Sequence, residues 1–233
     1  ANFIPRNATS DAQRGSRADG QDLIAAFTRA GGLYVTSRRD LGRIPSETNS
    51  MMSKRPILGL FARSHMPFDV ERDPDVDPSL LEMTQAAVQH LAGNENGFLL
   101  VVEGGRVDMG NHDGCLHRTV TEGAAYQKAV EWALENTEPT DTLLVSTADH
   151  AHSLAFNGYC GRGSNILGLC YGVDPAGEVH SAEPNLAMDG LPYTVAAYLN
   201  GPGSVLLPSS PNALVDGKRR NLTDLQAEAP SKR

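Results

Sequence analysis

The 233-residue sequence lacks the features that would place it in a membrane or nucleic-acid-binding class. No apolar run approaches the roughly 20 residues that a membrane-spanning helix needs. The first residues, ANFIPRNATS, lack the basic-then-apolar pattern of a secretion signal, so we expect a mature or truncated start. The net charge of −8 argues against broad nucleic-acid binding, because phosphate backbones need clustered Lys and Arg. A phosphate substrate stays open, since metal ions can supply positive charge locally.

Cysteine is also scarce, with three residues in the chain. Cys160 and Cys170 bracket GRGSNILGL, a loop short enough to close with a disulfide, which would leave Cys115 over. Sequons at Asn7 and Asn221 would suit a glycosylated, secreted protein, although such triplets often arise by chance. The balance of 40% apolar and 21% charged residues predicts a globular chain with one large core or two small ones.

Hydrophobic patterning predicts helices alternating with strands. Helices are expected at 20–32, at 78–93 with Asp77 as N-cap, at 116–134 and at 193–199, and strands at 33–37, 57–61, 97–102 and 142–147. The last two strands are apolar without alternation, as expected for strands covered on both faces, and the helix between them completes a parallel crossover unit. We therefore predict an α/β fold with a central, mostly parallel sheet flanked by helices. Residues 208–233 are expected to be a mobile tail or the start of a further region.

Charged side chains follow both apolar strands. Glu103 comes directly after the first strand, and Asp149 and His150 come just after the second. Because parallel strands end at one edge of a sheet, these residues are expected to converge. Asp108 and His112 are spaced i, i+4, so their side chains face one way if that stretch is helical. Asp with neutral imidazole suits Zn²⁺, an isolated carboxylate such as Glu103 suits Mg²⁺, and bound cations would offset the repulsion between the acids.

Three of these residues also have an ordinary structural explanation. Glu103 and the two glycines after it could form only a tight turn, Asp149 could cap a helix, and His112 alone would more often be a surface histidine. The remaining histidines carry little signal: His90, on a helix, is expected to be structural, and His65, His117 and His180 point to no function. Taken together, one Glu, two Asp and two His at one sheet edge favour a metal site.

Two segments carry a family resemblance. VEGGRVDMGNHDG resembles the V-E-G-G-R-I-D-H-G-H-H-E segment of alkaline phosphatases, and STADHAHSL resembles that family's T-A-D-H-S-H stretch. Similarity continues through RADGQDLI, GLFARSHMPFDVERDPDVDPSLLEMT, GYCGRGSNILGL and LPYTVAAYLNGPG, so it covers about residues 17–203. The resemblance implies an alkaline-phosphatase-like fold, with residues 1–233 forming part of that domain.

The resemblance also implies a set of metal ligands. Position by position, Asp108 and His112 match ligands of a first zinc, Asp149 and His150 match ligands of a second, and Glu103 matches the carboxylate on magnesium. His152 matches a residue close to the metals, and we assign it the role of orienting a ligand. The activity implied is hydrolysis of phosphate monoesters through a phosphoserine, with two zinc ions activating the nucleophile and stabilising the leaving oxygen.

Parts of the family's machinery have no match here. No Asp-Ser dipeptide occurs, so the catalytic serine is absent from this chain; the metal-bridging Asp, the phosphate-binding Arg and the last zinc-binding His are also missing. A calcium site is doubtful, because Ala62 stands where animal members have Glu, although Asp77 matches another ligand of that site. We therefore expect an internal fragment that binds metal weakly and hydrolyses little.

The resemblance further implies an extracellular or cell-surface location and a homodimer. It also implies small phosphate monoesters, not nucleic acid, as partners. Membrane attachment would come only through a lipid anchor outside this chain. Two alternatives remain. The missing nucleophile suggests a short, non-catalytic metal-binding or surface interaction protein of the same family. A phosphodiesterase of the same superfamily is the other alternative, which the length of the similarity disfavours.

Overall fold

The structure, a computed structural model, describes residues 2–6, 15–44, 55–200, 206–208 and 215–219. The chain divides into two compact units. The first comprises Ala1–Glu103 and Ala125–Thr142, and the second comprises Gly104–Ala124 and Leu143–Arg233. One helix, α5 (Leu116–Glu135), contributes its first part to the second unit and the remainder to the first.

The first unit is mainly helical. In chain order it contains α1 (Leu23–Arg29), β1 (Leu33–Val35), α2 (Arg38–Leu41), β2 (Ile57–Gly59), a 3₁₀ turn (Asp69–Glu71), α3 (Leu80–Leu91) and the end of α5. Strands β1 and β2 are parallel, with Leu33 opposite Ile57 and Val35 opposite Gly59. Val35 and Phe68 are buried core residues of this unit. The helix and the two strands predicted in its first sixty residues are therefore present in shortened form.

Helix α3 begins two residues later than predicted, because Ser79 rather than Asp77 is its N-cap. The Ser79 hydroxyl accepts from the Glu82 backbone N–H at 3.2 Å, and the Glu82 carboxylate accepts from the Ser79 N–H at 2.9 Å. This reciprocal pair satisfies two backbone donors at once. Burial raises the pKa of Glu82, but hydrogen bonds from Ser79 and Arg38 outweigh it and hold that pKa below its usual value.

The second unit combines two helices with short antiparallel strand pairs. It contains α4 (Gly105–Asp113), the start of α5, β3 (Leu154–Phe156), β4 (Tyr171–Val173), β5 (Val179–Pro184), β6 (Ala196–Tyr198), β7 (Leu206–Pro208) and β8 (Val215–Arg219). The pairs are β3 with β6, β4 with β5, and β7 with β8. Leu116 at the start of α5 forms a buried cluster with Ala196 and Tyr198, and Leu154 and Leu167 pack against it.

The helix predicted at 193–199 is wrong, because this stretch contains strand β6 instead. Its side chains include Tyr, Thr and Val, which favour strands. The deciding contact is long-range: β6 pairs with β3, and Tyr198 lies opposite Leu154. A local pattern could not supply that partner.

The predicted central parallel sheet is not present among the described residues, whose sheets each have two strands. The stretches 97–102 and 142–147 form no strand, so the predicted crossover unit is wrong. Their apolar side chains are largely uncovered, with Leu99 and Leu143 each 89% exposed and Val101 83% exposed. A strand buried on both faces needs neighbours to cover its side chains and to bond its backbone. The described part of this chain supplies none.

The cysteines and the end of the chain complete the fold. Cys160 and Cys170 are joined by a disulfide, and Cys115 is a buried free thiol. Within the predicted tail, residues 215–219 form β8, and residues 209–214 and 220–233 lie outside the described part of the chain. Both sequons, at Asn7 and Asn221, also lie outside it and remain predictions.

Candidate metal centre

Helix α4 places Asp108 and His112 on one face, as the i, i+4 spacing predicts for a helical stretch. Asp108 lies in the first turn, where the helix dipole favours a negative charge, and His112 lies in the last turn. Their nearest atoms, His112 Nε2 and Asp108 Oδ2, are 3.5 Å apart. The helix ends at Gly114, whose left-handed backbone (φ 64°) suits glycine.

The segment before β3 brings two more histidines to the same carboxylate. His152 Nε2 lies 2.9 Å from Asp108 Oδ1, a hydrogen-bond distance, and His150 Nε2 lies 3.5 Å from the same oxygen. His150 Nε2 is also 3.7 Å from Asp149 Oδ2. Asp108 is therefore the centre of the cluster, with three imidazole rings around one carboxylate.

This arrangement keeps Asp108 ionised. The hydrogen bond from His152 is the largest effect on the Asp108 carboxyl and lowers its pKa; burial opposes it, and the nearby rings of His112, His152 and His150 lower the pKa further. An ionised carboxylate can accept hydrogen bonds and can bind a metal ion.

The cluster has a covered side and an open side. The His152 side chain is only 18% exposed, whereas those of His112 and His150 are 68% and 53% exposed, and that of Asp149 is 88% exposed. The inner histidine therefore fixes the carboxylate. The outer groups face solvent, from which an ion could reach them.

The donor atoms fit a divalent cation that accepts nitrogen and oxygen. Ligands of a tetrahedral zinc lie 2.0–2.2 Å from the ion, which puts neighbouring donor atoms about 3.3–3.6 Å apart. The Asp108–His112 pair at 3.5 Å and the Asp149–His150 pair at 3.7 Å are close to this range. The His152–Asp108 contact at 2.9 Å is shorter and is typical of a hydrogen bond. Asp108, His112 and His152 can also each offer one ligand atom within 4.8 Å of the others.

Four of the five predicted metal ligands thus lie together: Asp108, His112, Asp149 and His150. His152, predicted to orient a ligand, contacts one of them directly. Glu103 is exposed, precedes the N-cap of α4 by one residue, and belongs to the first unit, whereas the other four belong to the second.

Four residues next to the cluster, Gly110, Asn111, Thr119 and Tyr198, were not predicted from the sequence to have a role there. Gly110 is buried in α4, where an added Cβ would lie 2.9 Å from the Thr119 backbone nitrogen. The Tyr198 hydroxyl donates to Asn111 Oδ1 at 2.7 Å and lies 2.9 Å from Thr119 Oγ1. Asn111 and Tyr198 are 87 positions apart, so no local spacing could reveal their contact.

The remaining histidines lie outside this cluster. His90 Nε2 is 3.0 Å from the carbonyl oxygen of Arg55, a contact that fits the structural role predicted for it. His65, His117 and His180 are not members of the candidate group found among the described residues. No helix in the described ranges is both long enough and apolar enough to cross a membrane.

Comparison with known proteins gives one consistent family. The model of the family described as alkaline phosphatase matches residues 1–231. Similar proteins include an alkaline phosphatase of Gadus morhua, 36% identical over 214 residues, and the tissue-nonspecific alkaline phosphatase isozyme of Gallus gallus, 36% identical over 233 residues. A membrane-bound alkaline phosphatase of Bombyx mori is 32% identical over 209 residues.

These matches cover most of this chain but a minority of each relative. They include 90%, 95% and 87% of the chain, and 39%, 40% and 35% of the cod, chicken and silkworm proteins. The chain therefore spans about two fifths of the length of its relatives. A solved alkaline phosphatase of Thermus thermophilus is 35% identical, with a TM-score of 0.46, over 53% of this chain and 24% of that one.

Proposed function

The chain belongs to the alkaline phosphatase family, and from that premise we propose that it is part of a metal-dependent enzyme that hydrolyses phosphate monoesters. The proposal extends to a protein longer than this chain, because the relatives are about two and a half times as long. The observation that carries it is the ionised Asp108 carboxylate, hydrogen-bonded by His152 and flanked at 3.5 Å by His112 and His150.

In this proposal Asp108 and His112 hold a first zinc ion, and Asp149 and His150 hold a second. The separations of 3.5 Å between Asp108 and His112 and 3.7 Å between Asp149 and His150 are compatible with one ion in each pair. His152 donates to Asp108 Oδ1 and so orients the carboxylate with Oδ2 towards His112. When bound, zinc supplies a Lewis acid that neutralises phosphate charge and lowers the pKa of the attacking group.

The chain's own residues contribute charge, orientation and access. The Asp108 carboxylate supplies negative charge, and the ring nitrogens of His112 and His150 supply donor atoms for a metal ion. Exposure of these two rings leaves room for a phosphate group on the solvent side. We propose Glu103 as the magnesium ligand, because an isolated carboxylate suits that ion. Calcium is not proposed, since Ala62 supplies no carboxylate.

The nucleophile is the missing part. The sequence contains no Asp-Ser dipeptide, so we propose that the phosphoserine of this mechanism forms on residues outside this chain. The 233-residue chain alone should bind zinc but hydrolyse phosphate esters slowly. We also propose, from the family resemblance, an extracellular or cell-surface location and a homodimeric assembly.

Zinc titration of the full 233-residue chain tests the metal centre. Asp108→Asn removes the central charge with almost no change of shape, and we expect zinc affinity to fall about tenfold or more. Asp113→Asn is the matched control: Asp113 lies on the same helix but pairs with Arg118 at 2.8 Å. Equal zinc affinity of the two variants would contradict the assignment.

The phosphatase assay is carried out on the longest natural protein that contains this sequence. We expect Asp149→Ala or His150→Ala in that protein to abolish most of the turnover of an aryl phosphate. Unchanged turnover would refute the enzymatic part of the proposal and leave the zinc titration as an independent result.

The absence of an Asp-Ser dipeptide favours a second candidate function, a short metal-binding or surface interaction protein without hydrolysis. The intact mass of the natural protein separates the two. A mature species near 24.9 kDa supports the non-catalytic protein. A species about two and a half times as large supports the enzyme, because the match covers 40% of the chicken relative.

A further inference from the structure

Asn111 lies on α4 between the two proposed ligands of that helix. Its side-chain nitrogen donates to the Val107 carbonyl at 3.0 Å, which fixes the orientation of the amide. The amide oxygen therefore faces away from that carbonyl and accepts from the Tyr198 hydroxyl at 2.7 Å. Asp108 is three residues before Asn111 and His112 is the next residue, so a shift of the α4 backbone at Asn111 would displace both proposed ligands.

Tyr198 connects that helix to the strands that follow the other two histidines. It is the last residue of β6, is only 3% exposed, and lies opposite Leu154 in β3. The pairing continues beyond β3, since the Leu199 N–H donates to the Ser153 carbonyl at 3.3 Å. His152 is the residue before Ser153. One buried hydroxyl therefore lies between the two segments whose side chains meet at Asp108.

The Tyr198 hydroxyl has two hydrogen-bond partners, Asn111 and Thr119, and the direction of each bond can be assigned. A tyrosine hydroxyl has one proton, and because the Asn111 amide oxygen can only accept, that proton is given to Asn111. The 2.9 Å contact with Thr119 Oγ1 is then a bond that the threonine donates. The Thr119 hydroxyl has a second possible acceptor, the Cys115 carbonyl oxygen at 3.2 Å. The Tyr198 oxygen thus joins β6, α4 and α5 at one point.

We infer that Tyr198 is a positioning residue for the metal centre. By donating to Asn111 it fixes α4 against the β3–β6 pair, and so sets the distance between Asp108 and the two histidines, His150 and His152. The inference rests on the proposed metal centre for its functional meaning. A tyrosine that only stabilised the core would leave the geometry at Asp108 unchanged in a folded variant.

The test compares Tyr198→Phe with Tyr159→Phe in the full chain. The first substitution removes the buried hydroxyl and keeps the ring, and the second makes the same change at a side chain that is 93% exposed. Zinc affinity is measured by titration at a temperature at which circular dichroism shows each variant to be folded. We expect Tyr198→Phe to bind zinc about tenfold more weakly, as is usual when support behind a ligand is lost.

A metal-free measurement separates this inference from the proposed function. In nitrogen-15 NMR spectra the Nε2 proton of His152 should exchange slowly in the wild type, because it is bonded to Asp108. We expect exchange at least about tenfold faster in Tyr198→Phe and unchanged exchange in Tyr159→Phe. If the wild type binds no zinc, the proposed function fails, but the exchange rate of this proton still tests whether Tyr198 positions Asp108 and His152.

A second variant covers the case in which Tyr198→Phe does not fold. Asn111→Ala removes the acceptor at a half-buried helical position, where alanine is well tolerated, and leaves the tyrosine in place. Weaker zinc binding and faster exchange in this variant would support the inference equally. Wild-type zinc affinity in a folded Tyr198→Phe or Asn111→Ala protein would overturn it, whatever the change in stability.

Discussion

Gly110 allows α4 to approach α5 at the point from which the proposed ligands extend. An added Cβ at this position would lie 2.9 Å from both the backbone nitrogen and the hydroxyl of Thr119, and 3.2 Å from its Cα. Such atoms normally approach no closer than about 3.4 Å, so Gly110→Ala must separate the two helices by roughly half an ångström. Two of these three atoms are backbone, which cannot rotate away as a flexible side chain could.

The expected cost follows from two opposing effects. Overpacking of a close helix contact costs about 1–3 kcal/mol, and replacing glycine by alanine inside a helix returns about 1 kcal/mol. Gly123→Ala on α5 is the matched control, because nothing lies within 4 Å of its added Cβ. The propensity gain is common to both variants, so their free energies of unfolding should differ by about 1–3 kcal/mol, with Gly110→Ala the less stable.

Urea denaturation followed by circular dichroism measures this difference, and a zinc titration of the folded variants measures its effect on the site. We expect Gly110→Ala also to bind zinc more weakly, since Asp108 and His112 each lie two residues from the substitution. Equal stability of the two variants, within about 0.5 kcal/mol, would refute the close helix contact and the positioning of α4 inferred from it.

Three further predictions test other parts of the fold. Leu99→Ala should lower the free energy of unfolding by less than about 0.5 kcal/mol because Leu99 is 89% exposed, whereas Leu169→Ala, at a 5% exposed position, should lower it by about 2–5 kcal/mol. Urea denaturation of this chain measures both values. Similar losses would show that the side chains of 97–102 are covered. Reducing the Cys160–Cys170 disulfide should lower the free energy of unfolding by roughly 3 kcal/mol, measured with and without a reductant; no change would contradict the bond. The folded-state pKa of Glu82 is depressed, so its contribution to the free energy of unfolding is present above the unfolded-state pKa and is lost as the pH falls through the folded-state pKa. The difference in free energy of unfolding between the wild type and Glu82→Gln should therefore shrink from about pH 6 to about pH 3. A constant difference would contradict this.

Local patterns in the sequence predicted helix α5 and, on the condition that residues 108–112 are helical, the shared face of Asp108 and His112; helix α4 itself was not predicted. Helix α5 has a long apolar period and extends from Leu116 to Glu135, close to the predicted 116–134. The i, i+4 spacing of Asp108 and His112 placed them on one face of α4. These predictions succeeded because each depends on residues within a few turns of one another.

Long-range pairing was the part that the sequence could not provide. The residues at 193–199 were predicted as a helix, but the partner strand of Tyr198 lies more than forty positions earlier. The apolar run at 97–102 signals a covered strand, but cover and backbone partners must come from other strands, which are not present in the described chain. Composition can indicate that a segment is suited to burial without supplying what buries it.

The candidate site was predicted by a route that differs from the one in the structure. The sequence suggested that two parallel strands end at one sheet edge and deliver the ligands there. In the second unit, Asp108 instead meets His150 and His152 where α4 lies beside the segment before β3. In our proposal this arrangement depends on the hydrogen bond between Tyr198 and Asn111, which no spacing in the sequence predicts.

Anomalous X-ray diffraction at the zinc edge, from crystals of this chain grown with Zn²⁺, tests the metal centre most directly. We predict one peak about 2.0–2.2 Å from Asp108 Oδ2 and His112 Nε2, and a second between Asp149 and His150. Zinc peaks only elsewhere on the molecule, with these four side chains free of metal at saturating concentration, would contradict the assignment.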